Sequence, residues 1–332
     1  MMRAGYGLVA STIMTLAFTG ALSAGYVLVI AGCMGLVRSS DLVMRNALVG
    51  ASMPPAVLVS AASVMRTTQD SARIAGALGG AGLVAWLGMG HAYIVIASFY
   101  AASFCLTLGV YRGSKRVNLA GPSSAWRDLR EGFAYVWQTP SAVSAMALAV
   151  LVNFTAFPLS QGLLPYVARE IYRIDQQGLG FLIASFACGS LAGSITLTVG
   201  GRFLPMARLM LGSIVAWYLL LILFSFAPNM LAGMPVLLLA GLSQSLGMVP
   251  MSVILLSTSD ERFRGRVMGV RMLAVYSLPL GLLTAGALIG RIGYGATLLL
   301  YCTAGIVATI LIARRWRAEL WDEDGAANSR AA

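Results

Sequence analysis

Residues 142–167 read AVSAMALAVLVNFTAFPLSQGLLPYV, a stretch with no charged side chain, preceded by Pro140 and closed by Arg169 and Glu170. A bilayer's hydrocarbon core is about 30 Å thick and takes about 20 apolar residues per helical crossing. This stretch is long enough to cross, and its Asn153, Gln161, Pro158 and Pro165 are polar or helix-interrupting residues that a crossing must accommodate. Toward the C-terminus five similar stretches follow, at 179–199, 209–226, 236–256, 267–288 and 296–313.

Toward the N-terminus lie 92–110 and 57–88, parted by a glycine-rich turn around Met89 and Gly90, and before them 5–37. Glycines at Gly20 and Gly25 leave that first stretch open to two readings, one long tilted span or two short ones. Arg3 followed by an apolar run also has the form of a secretory signal, although a chain already full of spans inserts without a cleaved one.

Between the two halves, 112–140 is polar. Within it Trp126, Leu129, Phe133 and Trp137 share one helical face while Arg127, Asp128, Arg130 and Glu131 fall on the other, the pattern of an amphipathic helix lying along the membrane surface. The expectation is an all-α, polytopic membrane protein of about ten spans divided four plus six. Its parts are an N-terminal bundle over 1–111, a cytoplasmic linker over 112–140, a six-helix bundle over 141–317 and a cytoplasmic tail over 318–332.

Composition agrees. Hydrophobic residues make up 58% of the chain and charged residues 11%, roughly half the charged share of a soluble domain. The net charge of +11 raises the question of nucleic acid, but such a site gathers its cations on one face with readers between them. Here they stand in short loops. With alternating spans, Arg3, Arg38, Arg45, the cations of 112–130, Arg202, Arg208 and those of 262–266 and 314–317 fall on one side, and Arg169, Arg173 and Arg291 on the other. The Arg- and Lys-rich side is the cytoplasmic one, which puts both termini inside the cell and the protein in the inner membrane.

Little is available for covalent chemistry. Cys33, Cys105, Cys188 and Cys302 stand singly in apolar stretches and read as small core side chains, and the one histidine, His91, sits at a loop edge. No metal site, cofactor or nucleic-acid partner is expected. No HExxH or Ser/His/Asp set suggests an enzyme.

An ionisable group at bilayer depth costs at least about 2.5 kcal/mol, so it faces the protein interior and finds a partner. The outstanding case is Arg66-Thr67-Thr68-Gln69-Asp70-Ser71-Ala72-Arg73. Steps of four and three residues put Asp70 between Arg66 and Arg73 on one helical face. An ion pair that fixes packing and a substrate- or proton-coupling group are both open readings. Just beyond, Gly76, Gly79 and Gly80 strip side chains from two helical turns, which suits close helix packing, a hinge or a seal. Asn153, Gln161 and Gln244 are candidates to line a cavity or to bridge helices. The loop 259–267, with Arg264, Gly265 and Arg266, reads as a topological anchor whose ion pairs can also hold the cytoplasmic side closed.

The 123–140 helix, the DSARIAGALGG stretch at 70–80, the Gly200-Gly201-Arg202 turn and Arg264-Gly265-Arg266-Val267-Met268-Gly269 together resemble the major facilitator superfamily, within it the bacterial siderophore- and drug-exporter type. The resemblance runs from about Gly5 to Arg317. It implies two six-helix bundles with both termini inside, a substrate cavity at their interface, and a small-molecule solute exchanged for protons. Aligned on this resemblance, the chain is expected to start at the family's third helix, without the Gly-Asp-Arg-rich loop that follows the second. Ala75-Gly76 stands where antiporters of the family carry a glycine-proline pair. Asp70 stands where relatives often carry an uncharged amide, so coupling by Asp70 is not part of what the resemblance implies. Two functions follow for comparison: an antiporter exporting a small amphipathic molecule by alternating access, or a truncated, non-transporting membrane paralogue or scaffold.

Reporter fusions check the orientation: a reporter joined within 262–266 is expected to be active on the cytoplasmic side, and one joined between Arg169 and Arg173 on the other.

Overall fold

The computed structural model describes residues 2–19, 26, 30, 58–108, 125–200, 205–259 and 263–317. Every regular element among them is a helix. The chain divides into two compact units, one of Met1–Pro54 with Leu78–Pro122 and one of Pro55–Ala77 with Ser123–Ala332.

In the first unit, α1 (Met2–Phe18) is apolar except for hydroxyl residues that bond back to their own helix, as Ser11 Oγ does to the Gly7 carbonyl at 2.9 Å and Thr19 Oγ1 to that of Thr15 at 2.9 Å. A hydroxyl satisfied this way brings no bare polar atom into an apolar setting. α2 (Leu58–Leu108) begins in the second unit and ends in the first, and it is interrupted at Gly88, with φ 76° and ψ 168°. That backbone is open to glycine and costly for any other residue, so the interruption falls at Gly88 rather than at the neighbouring Met89 and Gly90. Beyond it the apolar segment Gly90–Leu106 meets α1 through Tyr6 stacked on Tyr100 at 5.5 Å, and Ala10 of the one and Ala92 of the other are buried.

The second unit holds six helical segments long and apolar enough to cross a membrane: Pro140–Ile171, Gln176–Val199, Met206–Ser225, Met230–Leu256, Gly265–Ile292 and Tyr294–Arg315. They overlap all six stretches expected from the sequence. We call the elements α3 (Ala125–Gln138), α4 (Pro140–Phe154), α5 (Gln176–Gly200), α6 (Met206–Ser225), α7 (Met230–Ser257), α8 (Arg264–Val275), α9 (Ser277–Ile292) and α10 (Tyr294–Arg315). Large apolar side chains such as Leu219, Leu231, Leu283 and Leu311 are exposed along the spans, which suits lipid as the surrounding solvent.

Apolar burial does not drive helices together in lipid; close packing and inter-helix hydrogen bonds do. The α5–α7 contact shows both. A Cβ on Gly189 would overlap the Leu238 carbonyl oxygen, and one on Gly241 would overlap that of Phe186. A Cβ on Gly193 would lie 2.8 Å from the Leu242 oxygen. The backbones therefore touch on both sides of the crossing. Within the same seam Ser190 Oγ donates to Gln244 Oε1 at 3.2 Å, and Ser194 and Ser245 share a hydroxyl hydrogen bond at 2.9 Å. On the other side of α7, Gly247 faces Ile214 of α6. Buried Trp217, Tyr218, Met210 and Met251 belong to the core around α6 and α7.

The linker helix α3 is docked on this unit. Leu129 and Val136 pack into the core, and Gly132 lies close enough that a Cβ there would sit 3.0 Å from the Arg266 carbonyl oxygen. The docked face runs through Leu129, Gly132, Tyr135 and Val136, whereas Phe133 and Trp137, expected on the same face as Leu129, are 46% and 80% exposed. The shift follows from Gly132, whose missing side chain is what lets α3 approach. Phe133 and Trp137 are left to meet the membrane interface, where aromatic rings are favoured.

The seam gives a paired test. Gly189→Ala is expected to lower stability by about 1–3 kcal/mol through overpacking, while Gly212→Ala, which has open space around its Cβ, is expected to raise it by about 0.5–1 kcal/mol through helix propensity. Thermal unfolding in detergent measures both.

Candidate functional site

The span that opens the second unit's bundle is also its most irregular. α4 starts with Pro140 in its first turn, where the missing N–H costs nothing, and it ends at Thr155. The Thr155 hydroxyl lies 2.6 Å from the Leu151 carbonyl and 2.6 Å from the Tyr218 hydroxyl. The chain then makes a π-turn over Pro158–Gly162, a short helical piece Leu164–Tyr166 and a second π-turn over Val167–Ile171. Wide turns of this kind cluster at functional sites because they displace the side chains inside them from the regular helical track. The wide winding persists to the end: Leu163 N–H donates to the Pro158 carbonyl, Tyr172 N–H to that of Val167 and Ile174 N–H to that of Ala168. Arg173 reverses the chain at φ 52°.

Gln161 lies inside the first π-turn, and its Nε2 is buried with no hydrogen-bond partner among the described residues. The same holds for Trp217 Nε1 and the Tyr294 hydroxyl. Trp217 stands edge-on to Phe157 at 5.1 Å, one turn before Gln161, and Tyr294 stacks on Tyr166 at 5.9 Å, one turn after it. A buried donor left unmatched costs about 1–3 kcal/mol, a penalty that water or a polar solute would remove. Just past the span, burial pushes the Tyr172 phenol above its ordinary range, and its ring meets that of Phe224 edge-on at 6.1 Å.

The other two amides have partners nearby. Asn153 is buried and its Nδ2 donates to the Ala149 carbonyl at 2.8 Å, one turn back on α4. Gln244 is 1% exposed and bridges helices through Ser190. Only Gln161 among these three presents an unmatched donor.

Arg66, Asp70 and Arg73 lie on the helical backbone of α2 before its break. Their side chains are outside the described residues. Gly76 and Gly79 are exposed, and no described atom lies within 4 Å of a Cβ placed on Gly76, Gly79 or Gly80. Arg264 opens α8 with its side chain also outside the described residues, Gly265 is exposed, and Arg266 pairs with Glu131 at 2.8 Å. His91 is exposed with Nδ1 3.0 Å from the Leu87 carbonyl oxygen. Cys105 and Cys188 are exposed free thiols and Cys302 a buried one, while Cys33 lies outside the described residues.

Reading residues singly misses the α5–α7 seam and the Glu131–Arg266 pair. A signal for the seam is present as Gly189-Ser190 repeated four residues on as Gly193-Ser194, the small-residue spacing of a close helix crossing. The ion pair has no such signal, because its partners are separated by more than four spans' worth of chain.

Six crossing-length apolar helices, a lipid-suited surface and a docked interfacial helix define a polytopic α-helical membrane protein. The profile of the Major Facilitator Superfamily matches residues 1–280, and no curated protein matches the chain. The chain belongs to the major facilitator superfamily and is a multi-pass membrane protein of a transporter family.

Gln161→Met tests the unmatched amide. It is expected to leave the melting temperature unchanged or raise it, since a costly buried donor is removed, while lowering solute transport; thermal unfolding and vesicle transport measured on the same preparation check the two halves.

Proposed function

We propose that the protein is a secondary active transporter that exports a small amphipathic molecule in exchange for protons, by alternating access of one bundle against the other. The observation that carries this reading is Gln161: an unmatched buried amide in a π-turn of an interrupted span, in a chain of a transporter family. Interrupted helices at membrane depth are tolerated where they line a cavity, and an amide donor there suits a solute bearing a carbonyl or other acceptor.

Asp70 is the proton-carrying group in this reading, with Arg66 or Arg73 setting its readiness to ionise. An opposite charge one turn away favours the ionised carboxylate, and a shift in either guanidinium between states would change that preference. Gln244 ties α7 to α5 beside the solute path, and Asn153 is matched within α4. Gly76, Gly79 and Gly80 serve as the hinge or seal of the first bundle, and Arg264, Gly265 and Arg266 order the cytoplasmic end of the second. The four-plus-six division into 1–111 and 141–317, with the linker 112–140 and the tail 318–332, belongs to the same reading. So do the inner-membrane location and the cytoplasmic termini.

Everted membrane vesicles energised with a proton gradient and supplied with ethidium, as an amphipathic fluorescent solute, test the assignment. Accumulation that collapses with the gradient is expected in the native protein, with at least a tenfold lower rate in Asp70→Asn. Proton-driven accumulation that survives Asp70→Asn unchanged removes Asp70 from the mechanism.

A further inference from the structure

The cytoplasmic start of α8 has an electrostatic problem. Arg264 and Arg266 stand in its first turn, with no acidic residue there, and Phe263 at the N-cap makes no side-chain cap. A helix N-terminus carries partial positive charge and is destabilised by nearby cations. α8 is 12 residues long, runs on through Tyr276 into α9 within the crossing segment Gly265–Ile292, and buries Val267, Val270 and Ala274 in the core.

A carboxylate reaches this turn from α3. Glu131 Oε2 lies 2.8 Å from Arg266 Nη1, and Arg266 also lies over the Phe263 ring at 5.4 Å. The other side of the arrangement is aromatic: Tyr135 stacks on Phe263 at 4.7 Å, and its hydroxyl donates to the Thr258 carbonyl at 3.2 Å. Beneath the pair, Gly132 meets the Arg266 backbone and Val270, and Val136 is 4% exposed. With Glu131 half-exposed, the ion pair by itself contributes little. Fixed by a ring stack, a backbone contact and a buried side chain, it acts with a whole interface.

We propose that Glu131 is a positioning residue that completes the start of α8, and that α3 and the first turns of α8 form one cooperative body, so that the linker helix travels with the second bundle. The pair is then a permanent joint of that bundle, distinct from an ion pair that opens and closes with each transport cycle. The inference is independent of which solute is carried.

Hydrogen exchange followed by mass spectrometry, on the full chain in phosphatidylcholine nanodiscs, tests it. In E131Q the amides of 125–138 and of 264–270 are expected to exchange faster by a common factor of about three to ten, as befits loss of one ion pair from a cooperative contact, with α5 and α7 unchanged. F263L, which removes the ring shared by Tyr135 and Arg266, is expected to give the same paired rise. The exchanged pair E131R/R266E is expected to return both segments to within about twofold of the native rates. A rise confined to one segment, no rise in either, a failure of the exchanged pair to restore them, or loss of protection along α5 and α7 would each overturn the proposal.

Discussion

Hydrocarbon supplies no hydrogen-bond partner and no reason for one apolar helix to prefer another over lipid. Both consequences shape the second unit. Serine and threonine hydroxyls inside its helices bond back to carbonyls three or four residues earlier, as at Ser160, Ser185, Thr198 and Ser252. The helices find one another where side chains are absent: Gly189 and Gly193 against α7, Gly241 against α5, Gly281 against α4 and Gly305 against Tyr218. Backbone contact at these points multiplies short-range attraction, which is weak per atom and strong in sum.

Against that economy α4 and the pieces after it stand out. Two prolines, two π-turns and three unmatched donors on or beside the span represent local cost in a setting where cost is otherwise avoided. Sites that handle a solute are where such cost is expected, because the solute or the water it displaces satisfies the donors in turn. The seam between α5 and α7, hydrogen-bonded and glycine-packed, stands in contrast to that span.

The end of the second unit at which α8 starts is organised by charge and rings. The stretch 262–266, which runs into α8, concentrates arginines. In the structure one of them, Arg266, also has a specific partner in the linker helix. A single residue of the arginine-rich stretch thus joins α3 to the bundle.

The crossing helices of the second unit were legible from runs of uncharged residues, because a span's length is set by bilayer thickness and is written in consecutive positions. The break in α2 was legible to within a residue, since glycine alone accepts the backbone found at Gly88. The amphipathic linker was legible as a helix with an apolar face, but its docking was not: Leu129 of that face packs into the core while Phe133 and Trp137 stay exposed, and the absent side chain of Gly132 is what lets α3 approach. Of the three amides singled out by sequence, all look alike as polar residues among apolar ones. Only the tertiary structure separates them, giving Asn153 a carbonyl of its own helix, Gln244 a serine on another and Gln161 no described partner, because hydrogen-bond satisfaction depends on neighbours far away along the chain. Sequence alone determined that this chain folds as helices in lipid; which of those helices touch, and which polar group is left wanting, was decided by packing in three dimensions.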